Sequence, residues 1–356
     1  MKIKSVHAYS KNLKLQKPYV IARETITDVE NIFLEVELEN GIIGIGAANP
    51  APDVVGETPQ QTLQNLTSGF TETFIGKDIR HFLKLIAESK TKFPGLPGTQ
   101  ACIDIALHDA FGQYLDIPVV DFYGRHHDRM LTSVTIGIKD AKETIDEAAE
   151  YYQKGFKILK VKTGLNAELD AERIIKLKEK FKDHFIIRVD ANTGYTLNDL
   201  QLFLQLTKHN PVELIEQPLP PLNDEALLQL PAATRAMLTA DESLKDTYAA
   251  LQLAQKNLYG IYNIKLMKCG GITAAFEIAN IAKPAGIHLF WGCNDESIVS
   301  ITAALHAAFA CVHTKYIDLD GSFDLAEDAA SGGITLKDGY MYINNKPGFG
   351  LSLLQK

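Results

Sequence analysis

The sequence has few features typical of secreted, membrane or nucleic-acid-binding proteins. Its four cysteines are scattered without a CxxC pair, which argues against a disulfide framework. No apolar run approaches 18 residues, and the N-terminus lacks the apolar core of a signal peptide, so we expect a cytoplasmic protein. A net charge of −8 and a pI near 5.7 give no reason to expect nucleic acid or a membrane as a partner.

Two common kinds of cofactor motif are also missing. No Gly-rich phosphate-binding fingerprint opens the first βα unit, which weakens an interpretation as a dinucleotide-binding fold. There is no HxH or HExxH motif to supply imidazole ligands, which a metallohydrolase barrel would need. The composition is that of an ordinary globular protein, with 46% hydrophobic and 22% charged residues.

The N-terminal part of the chain predicts an α+β unit. The segments "KIKSVHAYS" and "NIFLEVELEN" alternate like strands, and Asn40-Gly41 is a hairpin signal leading into "IIGIGAA". Two helical stretches are predicted next, at residues 59–73 and 97–115. We expect this unit to end near "DIPVVDFYG".

From about residue 131, short apolar strands alternate with amphipathic helices. The predicted helices include residues 141–154, 167–183 and 196–208. The eight strand-like segments are "SVTIGI", "FKILKVKTG", "FIIRVDA", "VELIEQP", "AMLTADE", "IYNIKLM", "IHLFWGC" and "KYIDLD". A repeated βα pattern predicts a parallel sheet, and eight strands in about 190 residues suit a closed barrel.

A charged residue stands at the end of each of five successive predicted strands. They are Lys162, Asp190, Glu216, Asp241 and Lys265, separated by steps of 28, 26, 25 and 24 residues. Barrel enzymes place their active sites at the C-terminal ends of the strands. The sequence therefore predicts that these five charges share one rim.

The three carboxylates in this series indicate a metal site. Asp190, Glu216 and Asp241 cannot all be ionised and unpaired if they lie close together. A hard divalent cation resolves this, and oxygen-only ligation favours one Mg²⁺ over zinc. The alternative is that each carboxylate caps the following helix or pairs with a lysine.

The lysines suggest a proton-transfer pair. Lys162 and Lys265 come from strands on opposite sides of the three carboxylates, so one lysine is expected to remove a proton that the other returns on the opposite face of the carbon. Nearby positive charge should lower their pKa values from about 10.4. Lys160 would assist on the substrate's carboxylate oxygens, or alternatively form salt bridges to the metal ligands. We expect Lys268 to lie outside the site.

The last predicted strand adds an acidic pair. In "YIDLD", Asp318 and Asp320 lie two residues apart and therefore on one face of the strand. With a cation already held across the mouth, this pair is suited to a substrate ammonium group. A helix cap or a salt bridge at the rim is the alternative.

These motifs resemble the enolase superfamily, muconate-lactonizing subgroup. The resemblance rests on "KVK", "RVDAN", "IEQP", "ADES" and "NIKLMKCGG" in order, and on "ACIDIALHDAFGQYLDIPVVDFYG" in the N-terminal part. It implies a (β/α)7β barrel, a TIM-like fold, with an α+β capping domain. The implied division is a cap at 1–124, a barrel at 125–321 and a C-terminal segment at 322–356 that completes the cap.

The resemblance also implies roles for individual residues. It places the Mg²⁺ ligands at Asp190, Glu216 and Asp241, the two acid/base lysines at Lys162 and Lys265, and the lysine that assists the enolate at Lys160.

Within the subgroup, "DLD" at 318–320 is similar to the dipeptide epimerases, the L-Ala-D/L-Glu epimerases among them, which hold a free α-ammonium with such a pair. The implied function is Mg²⁺-dependent epimerisation at the C-terminal residue of a dipeptide. The alternatives are an N-acylamino acid racemase, a cycloisomerase, an o-succinylbenzoate synthase or a non-catalytic metal-binding barrel. A homo-oligomer is compatible with the sequence.

The sequence departs from the family pattern in the expected pocket wall. In Ala-Glu epimerases an arginine in the loop near residue 24 binds the side-chain carboxylate, whereas "IARETIT" aligns Glu24 there with Arg23 beside it. We expect Glu24 to face the site and favour a cationic or neutral side chain; the alternative is that Arg23 faces it, which would favour an acidic one. The seventh strand ends in "WGCNDES", which keeps Glu296 but changes its neighbours, and "GIGAANPAP" lacks the Glu often seen after its glycine.

Overall fold

The computed structural model describes residues 1–20 and 25–354. Strands carry most of the two ends of the chain, and helices alternate with strands in the middle. The strands are β1 (Ile3–Val20), β2 (Thr25–Leu38), β3 (Ile43–Ala48), β4 (Met130–Leu131), β5 (Val134–Ile136), β6 (Ile158–Lys162), β7 (Ile186–Asp190), β8 (Ile215–Glu216), β9 (Leu238–Ala240), β10 (Ile261–Ile264), β11 (His288–Trp291), β12 (Thr314–Ile317), β13 (Ala330–Gly332), β14 (Ile334–Lys337), β15 (Tyr340–Ile343) and β16 (Leu351–Leu353).

Thirteen α-helices lie between the described strands, and none is long and apolar enough to cross a membrane. They are α1 (Pro52–Val55), α2 (Pro59–Leu66), α3 (Phe82–Lys92), α4 (Pro97–Leu115), α5 (Val119–Tyr123), α6 (Ala141–Gln153), α7 (Ala167–Phe181), α8 (Leu197–Leu206), α9 (Ala232–Arg235), α10 (Thr247–Lys256), α11 (Leu266–Cys269), α12 (Ile272–Ala282) and α13 (Ile298–Ala310). Short 3₁₀ helices cover Thr71–Phe74, Ile79–His81, Lys182–His184 and Pro221–Gln229.

The N-terminal sheet is antiparallel, as its alternating sequence predicts. β2 lies between β1 and β3, with Val6 opposite Val36 and Leu34 opposite Gly46. Helix α4 packs on β3 and is buried on nearly every side. Glycines allow this close approach, because a Cβ atom on Gly46 would lie 1.9 Å from the carbonyl oxygen of Cys102 on α4.

Strands β5 to β12 form a curled parallel sheet of eight strands in chain order. A parallel bridge between Thr132 and Ile317 joins the two edges of this sheet and closes it. The predicted (β/α)7β barrel is therefore confirmed, and each of the eight apolar segments named from the sequence contains one barrel strand. The cross-strand register aligns Lys162 with Asp190 and Asp190 with Glu216, so neighbouring strand ends lie at one level.

The barrel has separate apolar clusters inside and outside. On β6, Leu159 and Val161 belong to the large core between the sheet and the surrounding elements. A small second cluster lies apart from that core. Three of its members are on barrel strands and one lies just before β8; they are Ile261, Phe290, Tyr316 and Leu214. Because side chains alternate along a strand, Lys160 and Lys162 project to the side opposite Leu159 and Val161, which is the barrel interior.

In the N-terminal part, one helical prediction needs correction and one helix was not predicted. Helix α2 ends at Leu66 instead of continuing to residue 73, and a separate 3₁₀ turn covers Thr71–Phe74. Gly69 lies between them with φ +84°, a conformation that an α-helix cannot contain. Helix α3 was not predicted, although its buried face repeats at the helical spacing of Phe82, Leu85, Ile86 and Ser89.

Buried hydrogen bonds join the N-terminal part to the barrel. Asp104 on α4 accepts bonds from the N–H groups of Ile272 (2.8 Å) and Thr273 (3.2 Å), the first two residues of α12. A carboxylate at this position satisfies donors that the helix itself leaves open. The C-terminal tail makes a similar contact, because the Phe349 N–H donates to Asp109 on α4 at 2.8 Å.

We expect Gly46→Ala to lower the free energy of unfolding by about 1–3 kcal/mol, because the new methyl group must push α4 away from β3. Urea unfolding followed by circular dichroism measures the effect. Gly137→Ala is the matched control, since its Cβ would have no heavy atom within 4 Å and its φ is not in the left-handed region. A Gly46→Ala protein as stable as the wild type would contradict this account of the helix-to-sheet contact.

Candidate active site

The predicted site residues all lie at the C-terminal ends of barrel strands. The strand-end positions are Lys160 and Lys162 on β6, Asp190 on β7, Glu216 on β8, Asp241 after β9, Lys265 after β10, Glu296 after β11, and Asp318 and Asp320 after β12. Register alone brings them together, because parallel strands in a closed barrel end at the same rim. The structure thus places every candidate that lies within the described residues at one mouth.

Lys160 is the most connected of these side chains. Its Nζ atom lies 2.9 Å from Asp318 Oδ2, 2.9 Å from Glu216 Oε2 and 3.0 Å from Asp190 Oδ2. Only the contact with Asp318 also has hydrogen-bond geometry. The ammonium group is buried and lies between two expected metal ligands and the acidic pair of the last strand. The salt-bridge alternative considered for Lys160 describes these contacts.

Lys162 and Lys265 sit at the two ends of the carboxylate series. Lys162 Nζ lies 2.8 Å from Asp190 Oδ2 and 2.8 Å from the side-chain oxygen of Asn192. Lys265 Nζ lies 2.9 Å from Asp241 Oδ2. The side chain of Lys162 is 30% exposed and that of Lys265 is 13% exposed, whereas that of Lys160 is 5% exposed. Both end lysines can thus be approached from the mouth.

The expectation that Lys268 lies outside the site is wrong. Its ammonium group is buried and donates to the carboxylate and the main-chain oxygen of Asp241 and to the main-chain oxygen of Asn263. Lys268 lies three residues after Lys265, so the short helix α11 brings both ammonium groups to the same carboxylate. Burial lowers the pKa of Lys268, with Asp241 acting in the opposite direction.

The pKa values of the three carboxyl groups are shifted in different directions. Burial acts to raise the pKa of Asp190, but Lys162 and Lys160 outweigh it and hold that pKa well below its usual range. Lys265 and Lys268 do the same for Asp241. Burial, together with the charge of Asp190, raises the pKa of Glu216 to about 8 despite Lys160. Among the described residues Glu216 contacts one lysine, Lys160, whereas Asp190 and Asp241 each contact two.

Carboxylates reverse the pKa shift that we expected for the lysines. Burial favours a lower pKa for Lys265, and Lys160 adds to this, but the charge of Asp241 dominates and raises the pKa. The pKa of Lys160 is likewise raised well above its usual value, because Asp318, Glu216 and Asp190 outweigh its burial. Each lysine is thus protonated while its carboxylate partners remain directly beside it.

The donor set fits a hard cation, although the side chains do not surround a common point. Within the described residues, no three His, Cys, Asp or Glu side chains are arranged to hold a metal ion, and lysine ammonium groups lie between the carboxylates instead. Glu216 Oε2 is buried, and its 2.9 Å contact with Lys160 lacks hydrogen-bond geometry. An oxygen-only set that includes a buried oxygen without a hydrogen bond in the described part of the chain fits Mg²⁺.

Asp318 and Asp320 have different surroundings. Both oxygens of Asp318 are occupied, one by the Ser133 hydroxyl at 2.6 Å and the other by Lys160. Asp320 is partly exposed at the mouth and accepts from the Thr135 N–H at 2.8 Å and from the Thr135 side chain. Burial and the charge of Asp318 raise the pKa of Asp320 to about 7. The rim salt bridge considered for this pair is therefore formed by Asp318.

Glu296 supports the loop after β11. It is buried and accepts a bond from the Asn294 N–H at 2.8 Å, and burial raises its pKa to about 7. The same loop contacts the segment after β3, because Asn49 donates to the main-chain oxygen of Asp295 at 2.6 Å and accepts from Asn294 at 3.1 Å. Arg23 and Glu24, the remaining candidates, lie outside the described residues.

Two residues that the sequence analysis missed hold the metal-site carboxylates in place. Asn263 on β10 donates to Glu216 Oε1 at 2.6 Å. The side-chain oxygen of Gln217 accepts from the N–H groups of Asp241 (2.9 Å) and Ser243 (3.1 Å). The sequence contained a signal for both residues. Gln217 directly follows the metal-ligand candidate Glu216 in "IEQP", and Asn263 lies two residues before Lys265 and so on the same face of its strand.

Comparisons with known proteins agree with this geometry. The model of the mandelate racemase / muconate lactonizing enzyme N-terminal domain matches residues 3–124, and the enolase C-terminal domain-like model matches residues 143–356. Over 352 residues the chain is 50% identical to the L-Lys-D/L-Arg epimerase of Desulforapulum autotrophicum, covering 99% of each chain.

Solved structures extend the likeness to three dimensions. The dipeptide epimerase from Methylococcus capsulatus, complexed with Mg and the dipeptide L-Arg-D-Lys, has a TM-score of 0.96 and 43% identity over 99% of each chain. The dipeptide epimerase from Enterococcus faecalis, complexed with Mg and L-Leu-L-Tyr, has a TM-score of 0.92 and 32% identity over 99% of this chain and all of that chain. The chain therefore belongs to the mandelate racemase / muconate lactonizing enzyme family of the enolase superfamily.

Proposed function

We propose that this protein is a Mg²⁺-dependent dipeptide epimerase that moves the α-proton of the C-terminal residue between two lysines. The observation that carries the proposal is the placement of Lys162 and Lys265 at opposite ends of a series of three strand-end carboxylates. The relatives with 50% and 44% identity are both L-Lys-D/L-Arg epimerases, and their sequences align over 99% of this chain. The protein would act in the cytoplasm, and residues 1–124 and 322–356 would form the cap over the barrel.

Asp190, Glu216 and Asp241 would hold the Mg²⁺ ion. When bound, the ion acts as a Lewis acid on the carboxylate of the substrate's C-terminal residue and so makes the neighbouring α-carbon more acidic. The Oε2 atom of Glu216 supports this assignment, since it is buried and its contact with Lys160 at 2.9 Å lacks hydrogen-bond geometry. Lys160 lies beside two of the three ligands and would add a second positive charge next to the substrate carboxylate.

Lys162 and Lys265 would be the acid and base. A lysine must be neutral to accept a proton, and in this structure each of the two lysines lies beside a carboxylate, Lys162 beside Asp190 and Lys265 beside Asp241. As metal ligands these carboxylates would stabilise the neighbouring ammonium groups less. One lysine then accepts the α-proton at its Nζ atom, and the other donates a proton from its own Nζ to the opposite face of the carbon.

The charge of the mouth supports a cationic dipeptide as substrate. We define the mouth by its strand-end charges, which are Asp190, Glu216, Asp241, Glu242, Asp295, Glu296, Asp318, Asp320, Lys160, Lys162, Lys265 and Lys268. With all twelve groups ionised, these eight acids and four lysines leave an excess of negative charge that one divalent cation only halves. A dipeptide with Lys or Arg at both positions supplies two further positive charges, whereas Ala-Glu adds another negative one.

We expect chelation to abolish epimerisation and added Mg²⁺ to restore it. The reason is that the Lewis acid and the neutralisation of three carboxylates are lost together. Proton NMR of a dipeptide in D₂O measures the α-proton exchange directly. Full exchange in a protein shown by elemental analysis to contain no metal would contradict the proposed mechanism.

Replacing either lysine should stop epimerisation but leave exchange of one epimer. Lys162→Ala should still exchange the α-proton of the isomer served by Lys265, and Lys265→Ala that of the isomer served by Lys162. Exchange is followed for each diastereomer separately, and Lys176→Ala on the exposed face of α7 is the matched control. If Lys265→Ala epimerises at the wild-type rate, the two-base assignment fails.

We expect kcat/KM for Lys-Arg to exceed that for Ala-Glu by at least about 100-fold at low salt. This ratio should fall as salt is added, because salt screens the attraction between the charges of the mouth and those of the substrate. Asp295→Asn should reduce the ratio, since it removes one negative charge from the mouth. Assays of Lys-Arg, Ala-Leu and Ala-Glu at two ionic strengths test this. A preference for Ala-Glu would show that mouth charge does not select the substrate.

A further inference from the structure

The side chain of Asn192, two residues after the end of β7, connects one of the end lysines to a carboxylate of the next loop. Its oxygen lies 2.8 Å from Lys162 Nζ, and its nitrogen lies 3.3 Å from Glu242 Oε1. An ammonium group can only donate hydrogen bonds, so the amide oxygen must face Lys162. The amide nitrogen is then left to donate to Glu242. Both ends of the amide are thus held at the mouth.

The backbone at Asn192 explains why this residue type stands there. Its φ is +41°, in the left-handed region that asparagine enters more readily than most other residues with a side chain. Its N–H group donates to Asp190 Oδ1 at 2.9 Å. The next residue, Thr193, has φ +68° and donates its N–H to the main-chain oxygen of Gln217 at 2.8 Å. The exposed side chain of Asn192 therefore projects from a turn that is tied to β7 and to the end of β8.

This turn packs on the turn that follows Lys162. A Cβ atom on Gly194 would lie 2.3 Å from the main-chain oxygen of Gly164, and one on Gly164 would lie 2.3 Å from that of Ala191. Glycine at both positions allows the two turns to touch through their backbones. The distance between Asn192 and Lys162 is therefore set by main-chain packing as well as by the hydrogen bond.

The two end lysines differ in this respect. Lys162 Nζ contacts the carboxylate of Asp190 and the neutral amide of Asn192, whereas the only recorded partner of Lys265 Nζ in the described part of the chain is Asp241. Under the proposed function both carboxylates are metal ligands. Asn192 is then the one partner of Lys162 that the metal does not need, and Lys265 has no counterpart to it among the described residues.

We propose that Asn192 is a positioning residue that acts through Lys162 and not through Lys265, so that it controls proton exchange on one face of the substrate's α-carbon. The inference rests on the proposed function. A proton passes from the α-carbon to Lys162 Nζ and returns only if that atom is held within reach of the carbon. The oxygen of Asn192 accepts one N–H of the lysine and so restrains the position of Nζ.

Other roles for an exposed polar residue at the mouth predict different results. A residue that binds the substrate directly would slow exchange of both diastereomers when it is lost. A residue that orients a metal ligand would weaken Mg²⁺ binding. A residue that acts through Lys162 slows the exchange that passes through this lysine and spares the exchange that passes through Lys265.

Exchange with retention of configuration is the measurement that separates these roles. Net epimerisation does not, because the equilibrium constant ties the rates of its two directions together. In exchange with retention, the α-proton leaves and a deuteron returns through the same lysine. Deuterium in the recovered starting diastereomer, separated by chromatography at low conversion and weighed by mass spectrometry, therefore reports one lysine at a time.

The test uses the Mg²⁺-loaded protein with L-Lys-L-Arg and L-Lys-D-Arg separately in D₂O. The Lys162→Ala variant identifies the diastereomer that Lys162 serves, since that exchange is lost. For Asn192→Gly, we expect retention exchange of this diastereomer to fall at least about fivefold relative to the other, as loss of one hydrogen bond predicts. Glycine suits the left-handed backbone and keeps the N–H that donates to Asp190.

Two controls accompany the variant. Calorimetry should show a Mg²⁺ affinity of Asn192→Gly within about fivefold of the wild type, since loss of a group that orients a metal ligand costs tenfold or more. Asn257→Gly is the matched substitution, because Asn257 is also exposed and left-handed, with φ +51°, but follows α10 at the opposite end of the barrel. It should leave both exchange rates unchanged.

The inference is overturned if the ratio of the two exchange rates in Asn192→Gly changes less than about fivefold, or if Mg²⁺ affinity falls by more than that factor. Failure of the proposed function gives a different result, because wild-type protein would then exchange neither diastereomer. Wild-type protein that exchanges both, with an unchanged ratio in Asn192→Gly, removes this inference alone.

Discussion

The repulsion between carboxylates at one rim is the constraint on which the rest of this structure depends. Asp190, Glu216 and Asp241 are buried, and buried like charges cannot remain ionised without compensation. Each of the four lysines at the mouth forms an ion pair with at least one carboxylate, so the charged groups at the rim form a network of ion pairs. The same ion pairs that stabilise the rim raise the pKa values of Lys160 and Lys265, and the proposed function therefore needs a metal ion that draws the carboxylates away from the lysines.

The scaffold makes that network geometrically precise. The barrel strands that carry the charges are two to five residues long, and their side-chain directions are fixed by the register with neighbouring strands. Helix α11, directly after Lys265, is covered by α4, and Asp104 on α4 caps α12 behind it. Helix α4, which packs closely on β3 through Gly46, thus also contacts the helix that directly follows Lys265.

Much of the fold could be predicted, because the signals are local. A strand followed by an amphipathic helix repeats along the chain, and the spacing of charges at strand ends follows from one βα unit per step. The site was predicted for the same reason, since parallel strands bring their ends together. The end of α2 was missed where a single glycine, Gly69, interrupts a pattern that propensity alone would continue, and helix α3 was missed although its apolar residues repeat at helical spacing.

What the sequence did not indicate are contacts that depend on rotamers and on distant parts of the chain. Lys268 looked like a helix-start residue, because its spacing from Lys265 does not tell which way its ammonium group turns; the structure turns it towards Asp241. Asp318 and Asp320 looked equivalent, because a strand places both on one face. They differ because Ser133, 185 residues earlier, reaches one and not the other. A period-two pattern thus predicts a shared face, but the partners across the barrel determine what each residue on that face can bind.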